Sequence, residues 1–146
     1  MRMARMPIAV VMQRRNIRHK WAGDAWSAVG VVPDPGGLAP VTPLGRSEDG
    51  ESYLVSGLHL DIYPDEDDGY FENWAAPEPK VFVMWRLQEQ RAMPVAASVS
   101  YGEGTRMLDS GEPVDGVAMP REIHAWLAQY LQEHYRPRER RGREHG

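Results

Sequence analysis

Ser52-Tyr53-Leu54-Val55-Ser56-Gly57-Leu58-His59-Leu60-Asp61-Ile62-Tyr63 is the stretch that decides the fold class. Leu54, Leu58, Leu60 and Ile62 fall on one side of a period-two pattern, and Tyr53, Gly57, His59 and Asp61 fall on the other. Such alternation predicts a strand with one face buried. On its N-terminal side, Pro7 to Gln13 has a Val- and Ile-rich centre and reads as a first strand, and Trp26 to Val32 reads as a second. Residues 33–51 hold four prolines and four glycines and are expected to form a long surface loop.

On the C-terminal side, Asp68-Gly69 is a favoured tight-turn pair, so Tyr70 to Ala75 is expected to return as the partner strand of a hairpin. Val81 to Leu87 is a near-continuous apolar run suited to a central strand. Pro94 to Tyr101 is expected to add another, with Val95, Ala97, Val99 and Tyr101 on one face, and a short helical turn is expected around Glu103 to Leu108. The period then changes. Ile123, Trp126, Leu127, Tyr130, Leu131, His134 and Tyr135 follow helical spacing, with Pro120 at the start and Pro137 at the end. The expected fold is α+β: an antiparallel β meander or small open barrel of about five to six strands, covered by a C-terminal helix. Residues 1–6 are expected to be a disordered N-terminal segment, 7–136 a single domain, and 137–146 a polar basic tail.

The chain has 146 residues and no cysteine, which removes disulfides, thiolate nucleophiles and sulfur-ligated metal sites. No apolar run is long enough for a membrane-spanning helix, and Arg14-Arg15 interrupts what a secretory signal would need, so cytoplasmic residence is expected. The net charge of -4 is unevenly distributed. Residues 1–20 carry six basic side chains and no acid, residues 21–135 carry nineteen acids against six bases, and residues 136–146 carry five arginines and two glutamates. An acidic body repels phosphate backbones, so nucleic acid is not an expected partner. The basic ends suit an acidic protein.

No residue set carries a recognisable catalytic or metal-binding pattern. Asp65-Glu66-Asp67-Asp68-Gly69 places its glycine one position early for a calcium loop and has Ala76 where the twelfth-position carboxylate belongs, so it reads as an acidic hairpin tip. His59 and Asp61 share a strand face but have no third partner in sequence. Ser56-Gly57 and Ser110-Gly111 lack the frame of a nucleophile elbow, and Gly102 to Arg106 lacks that of a phosphate loop. Neither a cofactor nor a metal site is assigned. Of the five tryptophans, Trp85 and Trp126 are placed in the core. Trp21 lies beside the basic segment, in the aromatic-plus-basic composition of interface hot spots. Arg14, Arg15, Lys20 and Trp21 are therefore the candidate protein-contact residues.

The chain resembles a bacterial family known as domain of unknown function 3305. The similarity is carried by Met12-Gln13-Arg14-Arg15, by Trp26 with Val29-Gly30-Val31-Val32-Pro33, by Leu54 to Leu58, and by Gly69-Tyr70-Phe71. It continues through Pro77-Glu78-Pro79, Val81 to Arg86, Val99-Ser100-Tyr101 and Val114 to Val117. The resemblance implies a companion of molybdenum-dependent formate dehydrogenase and its maturation factors. Some such proteins carry the name of a molybdopterin-guanine dinucleotide synthesis protein, but a nucleotidyltransferase needs an N-terminal glycine-rich loop in a parallel sheet, and here Met12 to Asn16 stands in its place. The expectation is a non-catalytic accessory or adaptor protein in assembly or maturation of a molybdoenzyme. Its partner would be another protein, such as an enzyme subunit or a maturation factor. The alternative is a small-molecule or cofactor-binding module, enzymatic or not, that uses the barrel interior and loop 33–51.

Overall fold

The apolar run at Ile8 to Met12 forms the centre of strand β1 (Ala4–Arg15), which takes the middle of a four-stranded antiparallel sheet with β2 (Ala25–Pro33), β3 (Val41–Ser47) and β4 (Gly50–Ile62). A computed structural model describes residues 1–16 and 24–136. The sheet order is β2-β1-β4-β3. Strands β5 (Lys80–Gln88), β6 (Arg91–Ser98) and β7 (Val114–Ala118) form a second sheet in the order β6-β5-β7, also antiparallel. Seven strands in two sheets therefore replace the expected single meander or barrel of five to six strands. β3 was hidden by Pro43 and Gly45, which weaken a strand read alone but are tolerated on the edge it occupies.

Two further expectations are corrected at the N-terminal half. Residues 4–6 are not a disordered lead-in, because Ala4, Arg5 and Met6 pair with Ile62, Asp61 and Leu60. The buried face of β4 also changes sides partway along. Ile8 pairs with Leu58 and Val10 with Val55, so Ser56 and Gly57 together oppose Ala9 as a bulge, with Gly57 at φ 94°. Tyr53 and Val55 point inward before it, and Leu60 and Ile62 after it. The regular alternation read from sequence assigned Tyr53 to the outer face, whereas Tyr53 is 2% exposed.

The acidic stretch begins a helix, not a hairpin. A 3-10 turn at Pro64–Glu66 leads into α1 (Asp67–Trp74), whose first turn carries Asp67 and Asp68 against the positive end of the helix dipole. Tyr70 and Asn73, three residues apart, supply its buried side. Gly69 serves closeness here and makes no turn: a Cβ on it would stand 2.4 Å from Ser100 Oγ. The expected strand at Pro94 to Tyr101 is shifted as well. β6 ends at Ser98, and Tyr101 opens α2 (Tyr101–Asp109), with Ser100 as its cap accepting from the Glu103 N–H.

The C-terminal helix α3 (Arg121–His134) has the predicted period and buries Ile123, Leu127, Tyr130 and Leu131. Pro120 precedes its first turn. The expected stop at Pro137 and the basic tail lie outside the described residues. One apolar core joins Ile8, Val10 and Met12 of β1 to Val81 and Val83 of β5 and to the inward face of α3. Trp85 and Trp126 are half-buried against it. Each flank of the two-sheet stack is tied by a hydrogen bond. Tyr53 Oη donates to the Ala92 carbonyl at 2.5 Å between β4 and β6, and the Ala28 N–H donates to Asp115 Oδ2 at 2.9 Å between β2 and β7. Among the described residues, no helix is long and apolar enough to cross a membrane.

Candidate functional site

Residues directly opposite on antiparallel strands share a face, and at the far end of the first sheet this rule assembles residues from four strands. Trp26, Arg14, Glu51 and Arg46 form one cross-strand row. Arg14 continues the inward period of Val10 and Met12. Its guanidinium donates to the Asn16 side chain, lies 3.3 Å from Asp24 Oδ1 and 3.7 Å from Glu51 Oε2, and its side chain is 19% exposed. Asn16 in turn holds the β3–β4 turn, through its side chain to the Glu48 carbonyl and its N–H to the Asp49 carbonyl. Arg14 is thus a positioning residue.

The opposite face carries the rows Gln13–Ser52–Gly45 and Arg15–Gly50–Ser47. Two of these six positions are glycines, so the face is hollow where side chains would otherwise stand. At this end of the sheet a trough of about 360 Å³ draws on both faces: Gln13, Arg15, Gly45, Ser47, Gly50 and Ser52 line it from one, Arg14, Arg46 and Glu51 from the other, and Asp49 from the β3–β4 turn. Gly50 has φ 152°, and a Cβ there would sit 1.9 Å from the Arg14 carbonyl oxygen, so only glycine fits against the β1 backbone at this point. Arg15 and Arg46 are both exposed, and neither has an ion pair among the described residues. Arg15 and Arg46 reach the trough from opposite faces of the sheet, and each guanidinium can hold a carboxylate by bidentate hydrogen bonds; Glu51, also on the lining, lies 3.7 Å from Arg14.

Of the four candidate contact residues, Arg14 and Arg15 both line this trough, Arg14 from the face on which it meets Glu51, while Lys20 and Trp21 lie outside the described residues. Arg46, Gly45 and Gly50 were missed, since their role depends on a cross-strand register that local sequence does not encode. His59 and Asp61 do share the outer face of β4, but Asp61 is occupied. It accepts from Arg5 Nε at 2.7 Å and lies 3.6 Å from Arg2, and the Arg5 hydrogen bond holds its carboxyl below the usual carboxylate range. Among the described residues no group of three His, Asp or Glu side chains is placed to hold a metal ion.

A second polar cluster lies at the start of α2. Ser98 Oγ donates to Glu103 Oε1 at 2.6 Å, Ser100 Oγ donates to Glu66 Oε1 at 2.6 Å, and Arg106 pairs with Glu66 Oε2 at 2.6 Å. The Ser100 N–H donates back to Ser98 Oγ at 3.0 Å. These contacts extend a helix cap into a network that fastens α2 to the 3-10 turn before α1. Every oxygen named here is engaged in that fastening.

Residues 7–144 match the model of a family described as protein of unknown function (DUF3305). The chain belongs to the DUF3305 family. Neither the curated proteins nor the solved structures contain a match to it. The family description assigns no reaction.

Proposed function

We propose that this DUF3305 chain is a non-catalytic accessory protein in the assembly or maturation of a molybdoenzyme such as formate dehydrogenase. It holds an acidic segment of an enzyme subunit or maturation factor in the trough at the end of the first sheet. The observation that supports this reading is that two exposed guanidinium groups without an ion pair among the described residues, Arg15 and Arg46, reach one trough from the two faces of the sheet, where the acidic lining residue Glu51 is engaged by Arg14. Arg14, fixed by Glu51 and Asp24, sets the end of β1 from which Arg15 projects. The setting comes from the resemblance in sequence, and the trough supplies the mode of attachment.

The test is capture from molybdate-grown native cells by the tagged full chain, with mass spectrometry of retained proteins and of small molecules. Retention of a formate dehydrogenase subunit or a maturation factor is expected, and Arg15→Glu with Arg46→Glu weakens it at least tenfold while the melting temperature is unchanged. Equal capture by that double variant sinks the site. Retention of a tight small ligand with no protein sinks the adaptor role in favour of the ligand-binding module.

A further inference from the structure

On the helical side of the molecule, a groove of about 350 Å³ runs between α1 and α3, walled by Phe71, Trp74, Ala128, Leu131, Gln132 and Tyr135. Its rings are ordered. Phe71 stacks on Tyr135 with centroids 5.0 Å apart at 17°, and it stands 6.3 Å from Trp74. Trp74 stacks on His124 at 5.0 Å, and the two residues exchange hydrogen bonds through Trp74 Nε1 to the His124 carbonyl and His124 Nε2 with the Trp74 carbonyl. Trp74 is therefore fixed from behind. Phe71 keeps 37% of its surface exposed, whereas Tyr70 beside it on α1 is fully buried.

The charge on the α1 side of the groove has one sign. Between residues 64 and 78 the chain carries Asp65, Glu66, Asp67, Asp68, Glu72 and Glu78 and no Arg or Lys. Asp68, Phe71 and Glu72 share one face of α1, being three and four residues apart. Asp67 accepts from Tyr130 Oη at 2.7 Å and Asp68 from Tyr135 Oη at 3.0 Å, both neutral donors, so neither carboxylate is neutralised by these contacts. Among the described residues Asp67, Asp68 and Glu72 have no ion pair. The adjacent cation, Arg136, is turned to the Tyr135 carbonyl at 2.9 Å.

We infer that this groove is a docking site for an arginine-bearing segment of another protein, whose guanidinium stacks on the Phe71 and Tyr135 rings and faces Asp68 and Glu72. Arginine combines an apolar stem, a planar head that stacks on aromatic faces and a fixed positive charge, matching walls and rim together. A neutral aromatic side chain would satisfy the walls and leave the acidic rim unanswered. Lysine, more strongly hydrated, gives up more on leaving water. This site is independent of the Arg15 trough, which has the opposite charge.

The test uses the isotope-labelled full chain and the probe peptide acetyl-Leu-Arg-Leu-Arg-amide, with glutamine and lysine counterparts, followed by nuclear magnetic resonance. The arginine peptide is expected to shift resonances of Phe71, Trp74, Ala128 and Gln132, the lysine peptide to bind several-fold more weakly, and the glutamine peptide not to bind. Phe71→Ala, which keeps every charge, and Asp68→Asn with Glu72→Gln, which keeps every ring and an acceptor for Tyr135, are each expected to weaken binding at least fivefold. The inference is overturned if the arginine peptide shifts no α1 or α3 resonance at millimolar concentration. It is equally overturned if Phe71→Ala binds as well as the parent, or if the glutamine peptide matches the arginine one.

Discussion

Trp85 Nε1 donates to Asp115 Oδ2 at 2.8 Å, and the same oxygen accepts the Ala28 N–H at 2.9 Å from the other sheet. One half-buried carboxylate oxygen thus joins β5 and β7 to the outer edge of β2, where the backbone N–H would otherwise have no strand to meet. Asp115→Ala leaves both donors without an acceptor and is expected to cost about 2 to 3 kcal/mol, while Asp115→Asn, which keeps one acceptor oxygen, costs about 1 kcal/mol. Urea titration followed by tryptophan fluorescence measures both. Equal effects for the two variants contradict the shared-acceptor account.

Asn73 occupies a fully buried position on α1, and its amide satisfies three backbone groups at once. It donates to the Lys80 and Val99 carbonyls at 2.7 and 2.8 Å and accepts from the Lys80 N–H at 2.9 Å. Asn73→Ala exposes all three to loss and is expected to destabilise by about 2 to 4 kcal/mol. Asn73→Asp is expected to be worse at pH 7 than at pH 4, because an ionised carboxylate there faces two carbonyl oxygens in a dry site. Thermal melting at the two pH values reads the difference.

Gly104 lies inside α2, where alanine would ordinarily add about 1 kcal/mol of helix propensity. A Cβ there, however, would stand 2.6 to 2.8 Å from ring atoms of Phe82, which is itself held edge-on to Tyr101. Overpacking of about 1 to 3 kcal/mol exceeds the propensity gain, so Gly104→Ala is expected to lower the melting temperature. Combining it with Phe82→Leu should restore most of the loss, and failure of that rescue points to a different cause.

Alkaline pH should unfold the chain through its buried tyrosines. Burial pushes the Tyr53 phenol up to about 12, against a smaller opposing effect of the Arg91 guanidinium 5.0 Å from its ring, and burial also raises Tyr70 and Tyr130. In the unfolded chain these phenols lose protons near the ordinary value of about 10. The unfolded state therefore binds fewer protons than the native state between about pH 10 and 12, and stability falls as pH rises through that window; below it the contribution is fully present. Ultraviolet titration is expected to show Tyr53, Tyr70 and Tyr130 ionising together with loss of tertiary signal. Smooth ionisation of all six tyrosines in the folded state contradicts this.

Gly45 has open space where a side chain would begin, the nearest atom being Ser52 Oγ at 3.6 Å. Gly45→Val is therefore expected to leave stability within about 0.5 kcal/mol of the parent while filling the trough beside Arg15. Partner capture should drop with the fold unchanged. Undiminished capture by this variant argues against the trough independently of the arginines.

Much of the architecture was legible where apolar spacing is local. The centres of β1, β2, β4 and β5 and the whole inward stripe of α3 follow from runs and periods that a single element carries within itself. What escaped depends on partners distant in sequence. β3 contains Pro43 and is a strand only because β4 pairs with it, and the Ser56-Gly57 bulge that turns the buried face of β4 over is set by Ala9 on another strand. Asp68-Gly69 signals a turn until Ser100 is brought against Gly69. The candidate site divides in the same way: the basic charge of Arg14 and Arg15 was visible, but the hollow beside Arg15 arises from the register that aligns Gly45 and Gly50 with β1.

The central place of β1 also bears on how the domain is made. β1 is the first of the seven strands to leave the ribosome, yet it is an interior strand, flanked by β2 and later by β4. Until Ile62 emerges, the Val- and Ile-rich edge awaiting β4 has no native neighbour, and it is then the segment of the nascent chain most in need of a chaperone's cover.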